Sequence, residues 1–455
     1  MLRNSCIPMF LKPFIKSITP AFALSAYHLS LAFLAAVIYG FPSESMVVIG
    51  VTGTKGKSTT IYALAKILEH AGLNVAVSSS LMFKIKENEW LNPHHMTMAG
   101  RFKLQEFLYN AKRAGCQYAI IETTSEGIKQ HRHRFINFDV AVFTNLTPEH
   151  IEAHGGFENY KKAKGKLFEA LSGARRKIVN GKAVPKISVL NVDDTNVDYY
   201  MSFKADKKYG FGLKNQCKLN ADENNICLFP SSYNSDKEGN TFILNDVFFK
   251  IPLLGSFNVY NALCSAVAAK SLGVDFKIAS ESLKHIEEVP GRMKFVRVGQ
   301  KFTAIIDLAH TPPSFQEMFG TVSQLRQPNG RVIALFGSAG GGRDKWKRPE
   351  LGKIAAKYSD YIILTNEDPY DENPADIFSA IEDGIKSAGF AGVLETITDR
   401  RVAIRRAINI ARWNDIVLFL GKGTEQTMVA GGQSLPWNEE EAVMIEIRNM
   451  LYDRK

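Results

Sequence analysis

The sequence has few cysteines, no internal repeat and no low-complexity tract. Five cysteines occur in 455 residues, and no two of them form a Cys-x-x-Cys pair. This pattern argues against a zinc site built on paired cysteines and predicts reduced, mostly buried thiols in a cytosolic protein. The length and the 45% hydrophobic fraction indicate a globular protein of two or three domains.

Positive charge is not concentrated in any one stretch. The chain has 56 lysines and arginines against 46 acidic residues, a formal net charge of +10, with both signs interleaved along the sequence. Such a distribution argues against nucleic acid as a partner and favours anionic substrates or a membrane surface.

The N-terminal part contains a long apolar stretch. Residues 21–40 are apolar apart from a tyrosine, a histidine and serines, and Arg3, Lys12 and Lys16 precede them. The stretch is just long enough to span a bilayer, but a single span would export the chain that follows it. No small-residue cleavage site follows, which argues against a signal peptide. A surface or re-entrant membrane helix, a helix packed on the protein and a true span all stay open.

Residues 47–60, VVIGVTGTKGKSTT, have the pattern of a phosphate-binding loop: an apolar strand, a glycine-rich turn and a helix. Gly53 and Gly56 let successive backbone N–H groups point at one anion, which the helix N-terminus also faces. Lys57 is expected to reach the β- and γ-phosphates, and the hydroxyl of Ser58 to hold Mg²⁺. The pattern therefore predicts ATP binding. The loop residues expected to bind the nucleotide are Gly53, Thr54, Gly56, Lys57, Ser58 and Thr59.

Predicted strands alternate with predicted helices along most of the chain. Strands at 74–78, 118–122 and 140–144 follow the loop, residues 186–250 predict a small β-rich insertion or a flank of the sheet, and a second strand–helix series begins after Gly291. Such alternation predicts an α/β fold with mostly parallel sheets.

The predicted architecture has three parts. Residues 1–45 form a short apolar N-terminal helical segment, and residues 46–290 form a central P-loop-type domain that binds ATP. Residues 291–455 form a C-terminal Rossmann-like α/β domain.

Two further features are candidate metal ligands. Glu122 ends an apolar strand, and open α/β sheets bind ligands at the carboxyl ends of their strands. Mg²⁺ that bridges phosphates needs hard oxygen ligands of this kind. His150 and His154, four residues apart, fit one helical face as metal ligands, although histidines on a surface helix have the same spacing.

The combination of these motifs resembles the Mur ligase family. The TGTKGKSTT loop is followed by the strand that ends in glutamate, by TNLTPEHIEAHG at 144–155 and by a lysine-containing segment at 160–164. Further motifs of the family match at 254–262, 291–293 and 307–312. The resemblance covers most of the chain and implies an ATP-dependent ligase that forms amide bonds through an acyl phosphate.

Three segments resemble the branch of the family that adds the third residue of the peptidoglycan stem peptide. These are GGGRDKWKRP at 340–349, GKGTE at 421–425, and ETTS at 122–125 followed by Gln-His-Arg at 130–132. The resemblance implies ATP and Mg²⁺ as cofactors, with a muramyl peptide and a free amino acid, expected to be a diamino acid, as substrates. It also implies a cytoplasmic enzyme, expected to be a monomer.

The resemblance further assigns roles to single residues. The catalytic residues are Lys57, His150 and Lys164, of which Lys164 matches a lysine that the family carbamoylates. The metal ligands are Ser58, Glu122, His150 and Lys164. The nucleotide contacts beyond the loop are Asn258, Arg292, Asp307 and His310. The substrate contacts are Ser125, Arg132, Arg343, Asp344, Lys345 and Glu425.

Two departures from the family pattern leave the substrates open. The short segment before the loop lacks the family's UDP-sugar-binding domain, so a lipid-linked acceptor and a membrane contact through residues 21–40 stay open. Glu367-Asp368-Pro369-Tyr370 stands where diaminopimelate enzymes carry Asp-Asn-Pro-Arg. Without that arginine a second carboxylate lacks its bidentate partner, so lysine, ornithine or another amine also fits. The alternative functions are a folylpolyglutamate-synthase-like ligase and a ligase that modifies a lipid-linked muramyl peptide. More remote alternatives are a P-loop kinase and a nucleotide-binding regulatory module.

Overall fold

The computed structural model describes residues 20–92, 97–149, 151–342 and 344–453. Two predicted site residues, His150 and Arg343, lie outside the described residues. The first fourteen strands are β1 (Val47–Thr52), β2 (Val75–Ser78), β3 (Met82–Ile85), β4 (Asn88–Leu91), β5 (Tyr118–Glu122), β6 (Val140–Phe143), β7 (Ile178–Val179), β8 (Lys182–Ala183), β9 (Ile187–Asn191), β10 (Lys207–Phe211), β11 (Asn225–Leu228), β12 (Ser232–Asp236), β13 (Gly239–Leu244) and β14 (Val247–Ile251). The later strands are β15 (Lys294–Val296), β16 (Thr303–Asp307), β17 (Val332–Phe336), β18 (Tyr361–Leu364), β19 (Val393–Thr396), β20 (Ile416–Leu420), β21 (Thr427–Ala430) and β22 (Gln433–Pro436).

The helices alternate with these strands, as the sequence predicts. The helices are α1 (Ala21–Ile38), α2 (Lys57–His70), α3 (Arg101–Arg113), α4 (Ser125–Lys129), α5 (Ile151–His154), α6 (Phe157–Gly173), α7 (Val197–Met201), α8 (Phe257–Ser271), α9 (Phe276–Lys284), α10 (Pro312–Leu325), α11 (Lys347–Tyr358), α12 (Pro374–Ser387), α13 (Arg400–Ile410) and α14 (Glu439–Asp453).

The larger sheet has, within the described residues, nine strands in the order β11-β10-β9-β6-β1-β5-β2-β3-β4. The strands from β11 to β2 pair in parallel, whereas β3 and β4 add an antiparallel edge. Ile49 and Val51 of β1 share a core with α2 and α8, and Val48 shares the opposite core with α3 and α6. Burial on both faces explains why β1 is a continuous apolar run.

The C-terminal half builds a second α/β unit. In the part of the chain that the structure describes, its sheet has six strands in the order β15-β16-β20-β17-β18-β19, and only β15 runs antiparallel to its neighbour. Helices α10, α11 and α12 share the core on one face, and α13 and α14 share the core on the other. The predicted α/β class with two mostly parallel sheets is therefore confirmed.

Both structures predicted as alternatives for residues 186–250, a flank of the sheet and a small β-rich insertion, are present. The first three strands of this segment, β9 to β11, extend the parallel central sheet, and only β12 to β14 form a separate antiparallel sheet. The first three strands are short, and polar loops separate them, so periodicity alone does not reveal their parallel pairing.

The prediction of reduced thiols is wrong for one pair of cysteines. Cys217 and Cys227 form a disulfide, with their Cα atoms 5.7 Å apart. Cys217 lies in the long loop after β10, and this loop returns to the edge strand β11 that carries Cys227. Sequence spacing does not show this return. Cys116 and Cys264 are buried free thiols, as the sequence predicts.

The N-terminal apolar stretch forms α1, which packs against α3. Ser25 Oγ lies 2.7 Å from Nε2 of His131, and the Phe33 ring meets the ring of Phe135 edge to face. Among the described helices, none is long and apolar enough to cross a membrane. The contacts of α1 show that one side of the helix packs on the protein.

Candidate active site

The carboxyl ends of the parallel strands of both sheets face one cavity of about 1650 Å³. The loops after β1, β2, β5 and β6 form one side of it, and the loops after β16, β17, β18 and β20 form the other. This edge is where open α/β sheets bind ligands. The volume exceeds that of a typical single-ligand pocket, so the cavity has room for more than one substrate.

The glycines of the phosphate loop are required by close packing. Gly53 has φ +149°, and an added Cβ would lie 2.0 Å from Oγ1 of Thr144. Gly56 has φ +76°, and its added Cβ would lie 2.2 Å from Oδ1 of Asn261. Gly56 directly precedes α2, so the N-terminal N–H groups of this helix open towards the cavity. The loop therefore has the backbone geometry of an anion site.

The side chains of Lys57, Ser58 and Glu122 meet beside this loop. The hydroxyl of Ser58 donates to the two carboxylate oxygens of Glu122 over 3.1 and 3.0 Å, and the ammonium of Lys57 lies 4.0 Å from the same group. The backbone N–H of Ser80 donates to Glu122 over 2.8 Å. Lys57 also donates to the carbonyl of Thr54 over 3.0 Å. The strand-end carboxylate is thus fixed within reach of the phosphate loop.

Lys164 of α6 lies under the loop and is buried. Its Nζ donates to the carbonyl of Gly53 over 2.7 Å and lies 4.6 Å from the centre of the Tyr160 ring. Burial lowers the pKa of Lys164 well below its ordinary value, and the positive charge of Lys57 adds to this effect. Together Lys57, Ser58, Glu122 and Lys164 form what we call the phosphate wall.

The two halves of the molecule meet at Glu149. Its carboxylate lies 3.8 Å from Nζ of Lys55 in the loop and 3.6 Å from Nε2 of His310 in the C-terminal half. The other ring nitrogen of His310 lies 2.7 Å from the carbonyl of Leu308. Burial lowers the pKa of His310 to about 4, and the carboxylate of Glu149 opposes that shift. Because a carbonyl oxygen only accepts, the Nδ1–H of the ring donates to Leu308.

The predicted nucleotide contacts lie on both sides of this junction. Asp307 ends β16 and accepts the backbone N–H groups of Met293 and Ala309 over 2.7 and 2.6 Å, which fixes the turn that contains Arg292. Burial raises the pKa of Asp307, and the charge of Arg292 opposes that rise. On α8, the amide of Asn258 donates to the carbonyl of Leu254 over 2.7 Å.

Acidic side chains line the cavity at the ends of β18 and β20. Lys422 lies between two of them, donating to Asp368 over 3.0 Å and contacting Glu425 at 2.7 Å. The side chain of Glu367 is buried, and its Oε2 has no hydrogen-bond partner among the described residues. Burial raises the pKa of Glu367 to about 7. We call Glu367, Asp368, Lys422 and Glu425 the amine wall.

A further part of the cavity lies beside α4. Ser125 begins this helix, and its hydroxyl lies 3.1 Å from Nε2 of His154. Arg132 is buried and donates to the carbonyl of Met98 and, over 2.7 Å, to the side-chain oxygen of Gln130. Serine, arginine and a nearby neutral or charged histidine suit an anionic, hydrogen-bonding ligand.

Most predicted site residues line this one cavity. Those that do are Thr54, Gly56, Lys57, Ser58, Thr59, Glu122, Ser125, Arg132, Lys164, Asn258, Arg292, Asp307, His310, Asp344 and Glu425. Gly53 contributes its carbonyl to Lys164 from behind the loop. Lys345 does not line the cavity, because its side chain is exposed and pairs with Glu372 at 3.6 Å. His150 and Arg343 fall outside the described residues.

Comparison with known proteins agrees with this arrangement. The Mur ligase middle domain matches residues 51–269, and the Mur ligase glutamate ligase domain matches residues 291–423. The chain belongs to the Mur ligase family. It is therefore an ATP-dependent acid–amino-acid ligase of peptidoglycan biosynthesis.

Individual Mur ligases match over most of the chain. The UDP-N-acetylmuramyl-tripeptide synthetase of Roseiflexus sp. (strain RS-1) is 36% identical over 92% of this chain and 82% of its own length. The UDP-N-acetylmuramoyl-L-alanyl-D-glutamate--2,6-diaminopimelate ligase of Syntrophomonas wolfei is 34% identical, covering 90% and 80%.

Solved structures agree with the fold. A structure of a UDP-N-acetylmuramoyl-L-alanyl-D-glutamate--2,6-diaminopimelate ligase superposes with a TM-score of 0.56 at 28% identity, over 90% of this chain and 79% of the other. A folylpolyglutamate synthase from Mycobacterium tuberculosis superposes with a TM-score of 0.65, over 94% and 96%, but at 13% identity. The latter likeness shows the shared fold alone.

Three residues of the site were not singled out by sequence reasoning. They are Lys55, Ser80 and Glu149. Ser80 contacts the predicted residue Glu122, Glu149 contacts the predicted residue His310, and Lys55 contacts Glu149. Lys55 and Glu149 do lie inside the recognised motifs, which is the signal that could have found them. Ser80 follows a strand with no motif of its own, and only the pairing of β2 with β5 brings it to Glu122.

Proposed function

We propose that this Mur ligase joins a carboxylate of a muramyl peptide to the amino group of a diamino acid and converts ATP to ADP and phosphate. The carrying observation is that one cavity is bounded by a phosphate loop from one sheet and by an acidic pocket from the other. ATP at the loop and an amine at the acidic pocket can then act on an acceptor between them. The enzyme is proposed to act as a monomer in the cytoplasm, where ATP is available.

In the first step the acceptor carboxylate attacks the γ-phosphorus of ATP, and ADP leaves. Two anions must approach each other, so cations and N–H groups of the phosphate loop have to offset their repulsion. Lys57 and the N-terminus of α2 are proposed to take this role. Asn258, Arg292, Asp307 and His310 are proposed to hold the nucleotide, and Ser125 and Arg132 to hold the acceptor.

In the second step the amine attacks the carbonyl carbon of the acyl phosphate. The C–N bond forms, the C–O bond to phosphate breaks, and inorganic phosphate and a proton leave. Asp344 and Glu425 are proposed to orient the amine, and Arg343 to contact its carboxylate. His150 is proposed to assist near the metal.

The phosphate wall fits Mg²⁺. Glu122 is buried at the end of β5, and the hydroxyl of Ser58 lies against it, so two hard oxygen donors stand together beside the loop. No group of three or more histidine, cysteine, aspartate or glutamate side chains that could hold a metal ion occurs in the described part of the chain. A magnesium ion shared with phosphates needs fewer protein ligands than that. When bound, the ion would neutralise charge on the phosphate oxygens.

Lys164 is proposed to be carbamoylated. Its amine is buried against the carbonyl of Gly53, and its lowered pKa favours the neutral form. A neutral amine adds carbon dioxide, forming an N–C bond and releasing a proton, and the resulting carbamate has two hard oxygen ligands. Protein supplied with ¹³C-bicarbonate is expected to show a carbamate carbon signal by NMR that Lys164→Arg abolishes. The same signal in both proteins would contradict the assignment.

The amine is proposed to carry a second ammonium group that reaches Glu367. Tyr370 stands where a diaminopimelate enzyme has its carboxylate-binding arginine. In the amine wall, Asp368 and Glu425 both contact the ammonium of Lys422, and Glu367 adds a third carboxyl group. One oxygen of Glu367 has no hydrogen-bond partner among the described residues, so this group is a suitable partner for a cation, and a bound ammonium would favour its ionised form. Lysine and ornithine fit this chemistry better than diaminopimelate.

Phosphate release tests the proposed function. The purified protein is given ATP and a muramyl dipeptide that ends in glutamate, alone or with lysine, ornithine or diaminopimelate, and the product is analysed by mass spectrometry. We expect sustained phosphate release only when acceptor and amine are both present, with an amide product. A phosphorylated product would instead identify a kinase, and transfer to a folate acceptor would identify a folylpolyglutamate-synthase-like ligase.

A further inference from the structure

The side chains of α1 are distributed in the reverse of the usual amphipathic pattern. The small residues Ala32, Ala35 and Ala36 are buried against the protein, at 0–2% exposure. The large apolar residues of the helix stay 47–78% exposed and form its outer face, with Phe33 at the edge of that face: Phe22, Tyr27, Phe33, Leu34, Val37 and Ile38. A helix face that meets water is normally polar. A continuous apolar face of this size marks an interaction surface.

The contacts of α1 with the rest of the protein fix which way its outer face points. Ser25 contacts His131 at 2.7 Å, and Phe33 packs edge to face on Phe135, so α1 is held along the segment that follows α4. The same segment contains Gln130 and Arg132, which line the acceptor end of the cavity. Whatever covers α1 therefore lies next to the acceptor end.

Several cations lie on the elements next to α1. Lys112 and Arg113 are exposed at the end of α3, and the charges of Lys166, Arg134 and Arg101 all act on His131 beneath α1. The helix itself carries no charged residue. Residues 1–19 add Arg3, Lys12 and Lys16 and contain no carboxylate. An apolar face with cations on the neighbouring elements is complementary to a surface of anionic lipids.

Other occupants of this face fit less well. No described helix is long and apolar enough to span a membrane, so α1 suits a position in the plane of the interface. Two copies of such a face, each about 27 Å long and about 10 Å wide, would bury roughly 550 Å² in total, well under the area of a stable dimer.

We propose that α1 lies in the interface of an anionic membrane, with its outer face in the boundary between headgroups and acyl chains. The acceptor end of the cavity then opens beside that membrane, and the muramyl peptide it receives is carried by a lipid diphosphate. This second part rests on the proposed ligase function.

Vesicle binding tests the membrane contact. The full chain is sedimented with phosphatidylcholine vesicles that contain or lack phosphatidylglycerol, at low and high salt. The variant Phe22→Gln/Leu34→Gln/Ile38→Gln keeps good helix formers and removes the apolar face. Binding to the anionic vesicles is expected to fall at least about tenfold in this variant and to weaken with salt.

The matched control removes three exposed apolar side chains of the C-terminal half, Val402→Gln/Trp413→Gln/Tyr452→Gln, and is expected to bind like the unmodified chain. Unchanged vesicle binding by the α1 variant, or equal binding to vesicles without anionic lipid, would overturn the membrane contact. A dimer of the unmodified chain that the α1 variant abolishes would also overturn it, in favour of a second copy. Phosphate release with a soluble acceptor confirms that each variant is folded.

The acceptor is tested with one muramyl dipeptide in two forms, free in solution and linked through diphosphate to a lipid in anionic vesicles. The inference predicts faster ligation of the lipid-linked form and loss of that advantage in the α1 variant. Equal use of both forms by the unmodified chain would refute the inference and leave the ligase function standing. No ligation of either form would refute the ligase function, while the vesicle binding would still report on α1.

Discussion

The phosphate wall and the amine wall occupy the same kind of position in their sheets but differ in how their charged groups are paired. Both lie at the carboxyl ends of parallel strands. In the phosphate wall, Ser58, Lys57 and Glu122 contact one another, so each charge has its partner before any ligand arrives. In the amine wall, Lys422 is shared by two carboxylates, and one oxygen of Glu367 has no hydrogen-bond partner among the described residues.

The difference agrees with the proposed function. In that proposal the phosphate wall binds ATP, the same ligand in every Mur ligase, and a fixed ligand favours preorganised contacts. The amine wall is proposed to bind the substrate that varies, since the relatives named above include a tripeptide synthetase and a 2,6-diaminopimelate ligase. An acidic group left without a partner is suited to recognise a cation that only some amines carry. Substitutions should therefore separate the two walls.

The largest expected effect is loss of the loop cation. Lys57→Ala should lower kcat/KM by about 10³-fold with every amine, because the charge that offsets phosphate repulsion is removed. Steady-state phosphate release measures the effect. Lys345→Ala is the matched control, an exposed lysine outside the cavity, and should stay within about twofold. A change of amine preference in Lys57→Ala would contradict the expectation that the two walls act independently.

A smaller effect is expected at the carboxylate of the phosphate wall. Glu122→Gln keeps one oxygen acceptor for Ser58 and for the N–H of Ser80 but removes the negative charge. The Mg²⁺ concentration for half-maximal rate should rise about 10–100-fold, and excess Mg²⁺ should restore part of the rate. A Mg²⁺ titration in which variant and parent coincide would exclude Glu122 as a ligand.

The amine wall should respond in specificity and not in general activity. Glu367→Gln should raise KM for lysine or ornithine about tenfold or more, since a charged hydrogen bond is lost, and should leave KM for ATP unchanged. KM measured for each amine separates the outcomes. If KM for ATP rose together with KM for the amine, the two walls would not be independent.

The raised pKa of Glu367 adds a stability test. Because burial raises this pKa from 4.5 to about 7, the folded protein keeps a proton that the unfolded chain loses between these pH values. Stability from this group therefore falls as pH rises through the window. Glu367→Gln removes that cost, so its melting temperature should exceed the parent's by about 2 °C at about pH 8 and match it near pH 4.5. A lower melting temperature at about pH 8 would contradict the burial argument.

The smallest effect on catalysis is expected at the disulfide, which lies at the edge of the central sheet. Cys217→Ser should leave phosphate release within about twofold. It should lower the free energy of unfolding by roughly 2–3 kcal/mol, because the disulfide closes a loop with a sequence separation of 10. Urea unfolding checks the stability, and no change under oxidising conditions would mean that Cys217 and Cys227 do not pair.

The sequence predicts the phosphate wall well because its chemistry is local. Gly53 to Ser58 form one loop, and Glu122 ends a strand that periodicity identifies, so parallel pairing alone brings them together. The meeting of Lys55 and His310 at Glu149 joins segments far apart in the chain and depends on how the two halves pack. The free oxygen of Glu367 depends on burial and on the absence of neighbours, and neither property has a sequence pattern. The direction of the apolar face of α1 likewise depends on which side packs on α3.

Trapping of the acyl phosphate tests the account most directly. With ATP and the muramyl dipeptide but no amino acid, hydroxylamine should capture the activated carboxylate as a hydroxamate, which mass spectrometry detects. The account predicts hydroxamate in the parent, its loss in Lys57→Ala, and a yield in Glu367→Gln close to that of the parent, since the amine wall is not used. No ATP-dependent hydroxamate in the parent, or equal loss in both variants, would contradict the account.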